Sequence, residues 1–173
     1  IFDVDPTGTF PMHVVNGSDR RDNLVGTSGP DLLQGKGAAD QILGRGGDDE
    51  LEGDGATNQG GDLMVGGGGN DRVAGRAGSD NLYGDEIGGA GSDAPGNDEI
   101  VGSKGRDRMF GGPGNDLIVG AYDGDSIFAG PGHDVVTLLG GDTSDPNGRV
   151  TVNCGPGYDF VVINPDRRGV FRN

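Results

Sequence analysis

An aliphatic residue recurs along the chain at Leu24, Leu33, Ile42, Leu51, Met64, Val73, Leu82, Ile100, Met109, Ile118, Ile127 and Val136. An aspartate stands two residues before each: Asp22, Asp31, Asp40, Asp49, Asp62, Asp71, Asp80, Asp98, Asp107, Asp116, Asp125 and Asp134. The interval is nine residues everywhere except at two insertions, so the period is that of a solenoid rather than of a helix or a long strand. Each aliphatic reads as the inward-facing centre of a three-residue strand, because strand side chains alternate. Six residues of the form Gly-x-x-Gly-x-Asp precede each strand and read as a tight turn. Turn, strand, turn, strand then makes one coil, and stacked coils pair their strands in parallel at about 4.8 Å. The result is an all-β solenoid with two short parallel sheets and an interior one aliphatic deep per strand.

Composition makes that interior marginal. Glycine fills 39 of 173 positions, Trp is absent, and there are only six Phe and three Tyr. A thin core alone does not offset the entropy of ordering such a chain. The formal charge of −15 argues against nucleic acid as a partner, since phosphates need Lys and Arg. It favours cations, and a predominance of Asp, a short hard-oxygen ligand, suits a hard divalent ion. No apolar stretch approaches the roughly 20 residues of a membrane-spanning helix. The chain opens at Ile1 without methionine, as a processed or trimmed fragment does, and its lone Cys154 gives no internal disulfide framework.

Two units carry a resemblance. Gly66-Gly67-Gly68-Gly69-Asn70-Asp71-Arg72-Val73-Ala74 and Gly111-Gly112-Pro113-Gly114-Asn115-Asp116-Leu117-Ile118-Val119 are similar to the nonapeptide of the haemolysin-type (RTX) calcium-binding repeat proteins. The likeness runs almost unbroken from 17 to 137 and returns at 154–162. It implies a right-handed parallel β-roll with calcium-filled turns. It also implies that each ion takes turn carbonyls, such as those of Gly66–Gly69 and of Gly111, Gly112, Pro113 and Gly114, and aspartate oxygens from two consecutive same-side turns. Each aspartate would then bridge two ions. One edge would carry Asp22, Asp40, Asp62, Asp80, Asp107 and Asp125; the other, Asp31, Asp49, Asp71, Asp98, Asp116 and Asp134. With five gaps per edge, about ten calcium ions are expected, which would carry the charge to about +5.

The repeat has defects. Arg20 and Ala38 replace the fourth-position glycine and Ala129 the first, which marks the gaps beside Arg20 and Ala38 as the weakest. Unit 53–65 holds four extra residues and unit 84–101 nine. The second insertion reads as a bulged loop; were it a coil half, every later unit would change edges. Residues 1–16 read as a capping half-coil with His13 where aspartate belongs, 17–137 as the β-roll, and 138–173 as irregular coils and a cap. In the secreted setting that the resemblance implies, a leftover Cys154 points to a partner beyond residue 173 or to a free thiol.

The third strand residue faces outward, and on one sheet it reads Val25, Leu43, Val65, Tyr83, Phe110, Phe128, a candidate ridge for self- or partner contact. His13 and His133 do not compose a catalytic set. The functional expectation is a non-enzymatic, extracellular or cell-surface module whose folding is driven by calcium, in a structural or interaction role. The alternatives are a non-catalytic C-terminal module of a secreted enzyme and a polysaccharide- or surface-binding adhesin module.

Overall fold

The computed structural model describes residues 12–55, 60–86, 95–120, 124–139 and 150–163. Fifteen strands and no helix occur among them. In chain order they are β1 His13–Asn16, β2 Asn23–Val25, β3 Asp31–Lys36, β4 Gln41–Gly46 and β5 Glu50–Asp54. Then come β6 Leu63–Gly68, β7 Arg72–Ala77, β8 Asn81–Asp85, β9 Glu99–Lys104 and β10 Arg108–Phe110. The last are β11 Leu117–Gly120, β12 Ser126–Phe128, β13 Val135–Leu138, β14 Thr151–Asn153 and β15 Phe160–Ile163.

Odd-numbered strands form one sheet in the order β1-β3-β5-β7-β9-β11-β13-β15, and even-numbered strands the other, from β2 to β14. All pairs are parallel, so the chain alternates sheets at every turn, as two units per coil require. The fold is a parallel β-roll. Register follows the repeat: Leu24, Ile42, Met64, Leu82, Met109, Ile127 and Val152 stand side by side in the even sheet. All twelve repeat aliphatics are 0–7 % exposed and form one continuous core. One inward side chain per strand fills the space between the two sheets.

The insertions leave the alternation intact. β6 pairs with β4 and β8, and β9 with β7 and β11, so no unit after either insertion has changed sheet. The tip residues 56–59 and 87–94 lie outside the described residues, as do 1–11 of the expected N-terminal cap and 140–149 and 164–173 of the expected C-terminal coils.

Positive φ falls mainly at the second and fourth turn positions. Gly67 and Gly69 have φ of 124° and 113°. Ala38, at a fourth position, still takes 72°, while Arg20 is not left-handed. Lys36, Arg45, Arg76 and Ser103 take 70–88° at second positions, where the repeat sets no glycine rule. Each stores about 1 kcal/mol of backbone strain.

The outward stripe is in register as expected, and Tyr83, Phe110 and Phe128 stack nearly parallel with centroids 4.6 and 5.0 Å apart. It is not a continuous exposed ridge. Val65, between its register neighbours Leu43 and Tyr83, is only 7 % exposed.

Candidate metal centre

Each repeat aspartate ends a turn one residue before or at the start of a strand, so stacking the strands stacks the carboxylates. On the edge leading into the even sheet, the amide of Asp22 donates to Asp40 Oδ1, Asp40 to Asp62, Asp62 to Asp80, Asp80 to Asp107 and Asp107 to Asp125, at 2.8–2.9 Å. On the other edge the run is Asp31, Asp49, Asp71, Asp98, Asp116, Asp134, at 2.8–2.9 Å, and it continues from Asp134 to Asp159 at 3.0 Å. All twelve aspartates singled out in the sequence therefore fall on two ladders, with the predicted memberships. Asp159 is a further rung. The repeat pattern at Cys154–Val162 signals it, but the loss of the motif over 138–153 hid its continuity with Asp134.

The two oxygens of a rung face different neighbours. Oδ1 reaches back to the amide of the preceding same-edge turn. Oδ2 lies beside the first glycine of its own turn and toward the next turn's carbonyl: a Cβ built on Gly66 would stand 2.5 Å from Gly84 O and closer still to Asp71 Oδ2. The same convergence recurs at Gly44 (Asp49 and Gly66 O), Gly53 (Asp62 and Gly75 O), Gly84 (Asp98 and Gly111 O) and Gly111 (Asp116 and Ala129 O). The first glycine is thus required for space rather than for φ. In nine rungs (Asp40, Asp49, Asp62, Asp71, Asp80, Asp98, Asp107, Asp116, Asp134) Oδ2 is buried and has no hydrogen-bond partner. Acceptors facing acceptors in a dry cleft are costly unless a cation lies among them. Oxygen-only donors from carboxylates and carbonyls are the set that calcium takes.

Electrostatics carries the same message. Burial, reinforced by same-edge carboxylates and opposed by backbone amides, pushes Asp71 and Asp80 up to about 8. It pushes Asp49, Asp98, Asp107 and Asp116 to about 7 and Asp62 to about 6, and raises Asp40 and Asp134. Ionising one carboxyl moved from 3.8 to about 7 costs the fold on the order of 4 kcal/mol.

The N-terminal rungs differ. Ser18 donates its amide and hydroxyl to Asp22 Oδ2 at 2.6 and 2.8 Å, and Thr27 does the same for Asp31 Oδ2 at 2.6 and 3.1 Å. His13, in the aspartate position of its half-coil, sets Nδ1 2.7 Å from Asp31 Oδ1. Internal donors therefore occupy these oxygens at the start of both ladders. His133 belongs to an outer ladder at the fifth turn position: Asn70 donates to Asp48, Asn97 to Asn70, Asn115 to Asn97, His133 to Asn115, and Tyr158 to His133 Nδ1. Nothing about that position in the nonapeptide signals it, since single Asn residues in turns are commonplace.

Two carboxylates escaped the sequence reading. Asp54 and Asp85 each follow a first-position glycine directly before an insertion, outside the aspartate position of the repeat. Asp54 is wholly buried and Asp85 9 % exposed. Asp54 Oδ2 accepts the amide of Gly60, and Asp85 Oδ1 that of Gly96, at 3.4 Å, so each ties the base of its insertion. Asp54 Oδ1 and Asp85 Oδ2 are buried without partners. Oxygens of Asp40, Asp54 and Asp62 come within 4.8 Å of one another.

The glycines proposed as carbonyl donors occupy alternate turns of one edge. Gly66–Gly69 precede Asp71, Gly111–Gly114 precede Asp116, and the inserted turn 84–98 lies between them. Gly68 O already accepts the Gly47 amide at 2.8 Å and Gly111 O the Asp85 amide at 3.3 Å, and each keeps a second lone pair for an ion. Filling the cradle gives a direct test. Gly66→Ala is expected to lower calcium affinity at least tenfold, as followed by a competing chromophoric chelator. Gly29→Ala meets no atom within 4 Å and is expected to leave binding unchanged. Equal affinities in both variants would contradict a cradle at the first glycine.

The family description "RTX calcium-binding nonapeptide repeat" matches this chain in four copies, at residues 16–55, 57–86, 94–121 and 110–144. No curated protein and no solved structure matches it.

Proposed function

We infer function from one premise: this chain belongs to the RTX calcium-binding nonapeptide repeat family. It is a calcium-binding β-roll module. Beyond that, we propose that calcium drives its folding and that it works outside the cell or at the cell surface, where calcium is high enough to saturate sites of about 10⁻⁴–10⁻³ M. The observation that carries this reading is the row of nine buried, unpartnered Oδ2 atoms set against a core one side chain deep. Each ion would lie between successive same-edge turns, held by Oδ2 of one rung, a carboxylate oxygen of the next and the intervening carbonyls. The regular gaps make about ten such sites. The role is structural or interactive rather than catalytic, and the half-exposed Tyr83–Phe110–Phe128 stack, with Val25 and Leu43 beyond Val65, is where we place partner contact.

The experiment is a calcium titration followed by circular dichroism at pH 7.5. In excess chelator the chain is expected to lack β signal, and millimolar calcium is expected to restore it. Magnesium is expected to fail, because it dehydrates reluctantly and prefers a smaller octahedral cage. A compact β-rich state in chelator would overturn the reading.

A further inference from the structure

The 53–62 turn departs from the nonapeptide at its second position. Most regular turns after the first two place a left-handed residue there, such as Lys36, Arg45 or Arg76. Asp54 is not left-handed, and from it the chain leaves the tight turn to enter the insertion, returning at Gly60, a fourth-position residue. One carboxylate oxygen of Asp54 clamps that return by accepting the Gly60 amide. The other, Oδ1, is buried with no partner, and a carboxylate oxygen of Asp54 lies within 4.8 Å of one from Asp40 and one from Asp62. Asp40 and Asp62 are themselves 2 % and 1 % exposed, and their Oδ2 atoms are also unpartnered. This gap therefore holds three carboxylates where a regular gap holds two.

We propose that Asp40, Asp54 and Asp62 make this ladder gap a calcium site of its own kind, tighter than the regular gaps, in which the residue that enters the insertion supplies the additional ligand. The proposal rests on the calcium reading above. A third carboxylate adds a full charge to the ligand set, and charge count is a main determinant of calcium affinity. The same residue accepts the Gly60 amide with its other oxygen, so the loop base and the site share one side chain. Asp85 repeats the device on the opposite edge: it follows Gly84, ties Gly96, keeps Oδ2 free of partners and packs against Gly112 of the next turn. Two insertions of different length sharing this entry indicate a function for the entry residue rather than a tolerated accident of loop length.

The test compares Asp54→Asn with Asp19→Asn in the full 173-residue chain. Asn keeps an acceptor for the Gly60 amide but removes the charge, and Asp19 is an exposed acid that controls for net charge. In competition with a chromophoric chelator, Asp54→Asn is expected to weaken the tightest class of sites roughly tenfold, with Asp19→Asn unchanged. Superposing isotherms for the two variants overturn the proposal. A wild-type chain that binds no calcium overturns the underlying reading instead. Should Asp54→Asn fail to fold, the calcium-loaded wild type decides by crystallography. Anomalous scattering is expected to place an ion about 2.3–2.6 Å from Asp54 Oδ1. An ion held by Asp40 and Asp62 with Asp54 turned away removes the proposal.

Discussion

Acidification is expected to have opposite effects on the calcium-free and calcium-loaded chain. Without calcium, Asp49, Asp62, Asp71, Asp80, Asp98, Asp107 and Asp116 sit at about 6 to 8 in the fold against 3.8 as free side chains. Between those values the folded state holds more protons than the unfolded state, so stability rises as pH falls. That contribution is complete below about 3.8 and is lost as pH climbs through about 6 to 8. In chelator, moving from pH 8 to pH 5 is therefore expected to raise the β signal. At limiting calcium the order reverses, because each proton on Asp71, Asp80 or Asp98 must leave before an ion is bound. Apparent calcium affinity is expected to fall by at least tenfold over the same interval. Circular dichroism across pH, with and without calcium, checks both arms. A calcium-free chain whose β content is indifferent to pH would show that these carboxyls are not buried together.

Removing one interior rung is expected to do far more than removing a terminal one. Asp71 is 3 % exposed, its Oδ1 takes the Asp49 amide, and its Oδ2 lies unpartnered beside Gly84 O. Asp71→Ala strips a ligand from the gaps on both sides, leaves the Asp49 amide without its acceptor, and breaks the run between Asp49 and Asp98. Two ions are expected to go, with a loss of at least 3 kcal/mol of calcium-loaded stability. Asp22 is half-buried, and its Oδ2 is already held by the Ser18 amide and hydroxyl. Asp22→Ala is expected to cost about 1 kcal/mol and at most one ion. Calcium stoichiometry by equilibrium dialysis, with thermal melts at fixed millimolar calcium, separates the two. Equal losses would refute sharing of each aspartate between neighbouring gaps.

The repeat alone determined the coil, the alternation of sheets, the twelve core aliphatics and the membership of both aspartate ladders. A nine-residue period leaves no other way to bury Leu33, Ile42 and their equivalents, and parallel register then puts every aspartate above its counterpart 18 residues on, or further where an insertion intervenes. The alternation survived the insertions because Gly84 and Asp98 lie at the two ends of one turn, and extra residues within a turn leave the sheet of the strands that it joins unchanged. Only the tertiary structure decided the rest. Ser18 and Thr27 satisfy the first rungs through a turn geometry that any small residue could have occupied. The first glycine proved to be a matter of space, visible only once Gly84 O and Asp71 Oδ2 are placed around Gly66. Val65 is buried between register neighbours 22 before and 18 after it in sequence. Asp54 and Asp85 sit off the period, where a repeat-based reading has no reason to look. Their meaning comes from the distance to carboxylates on other coils, and distances between coils are a property of the stack.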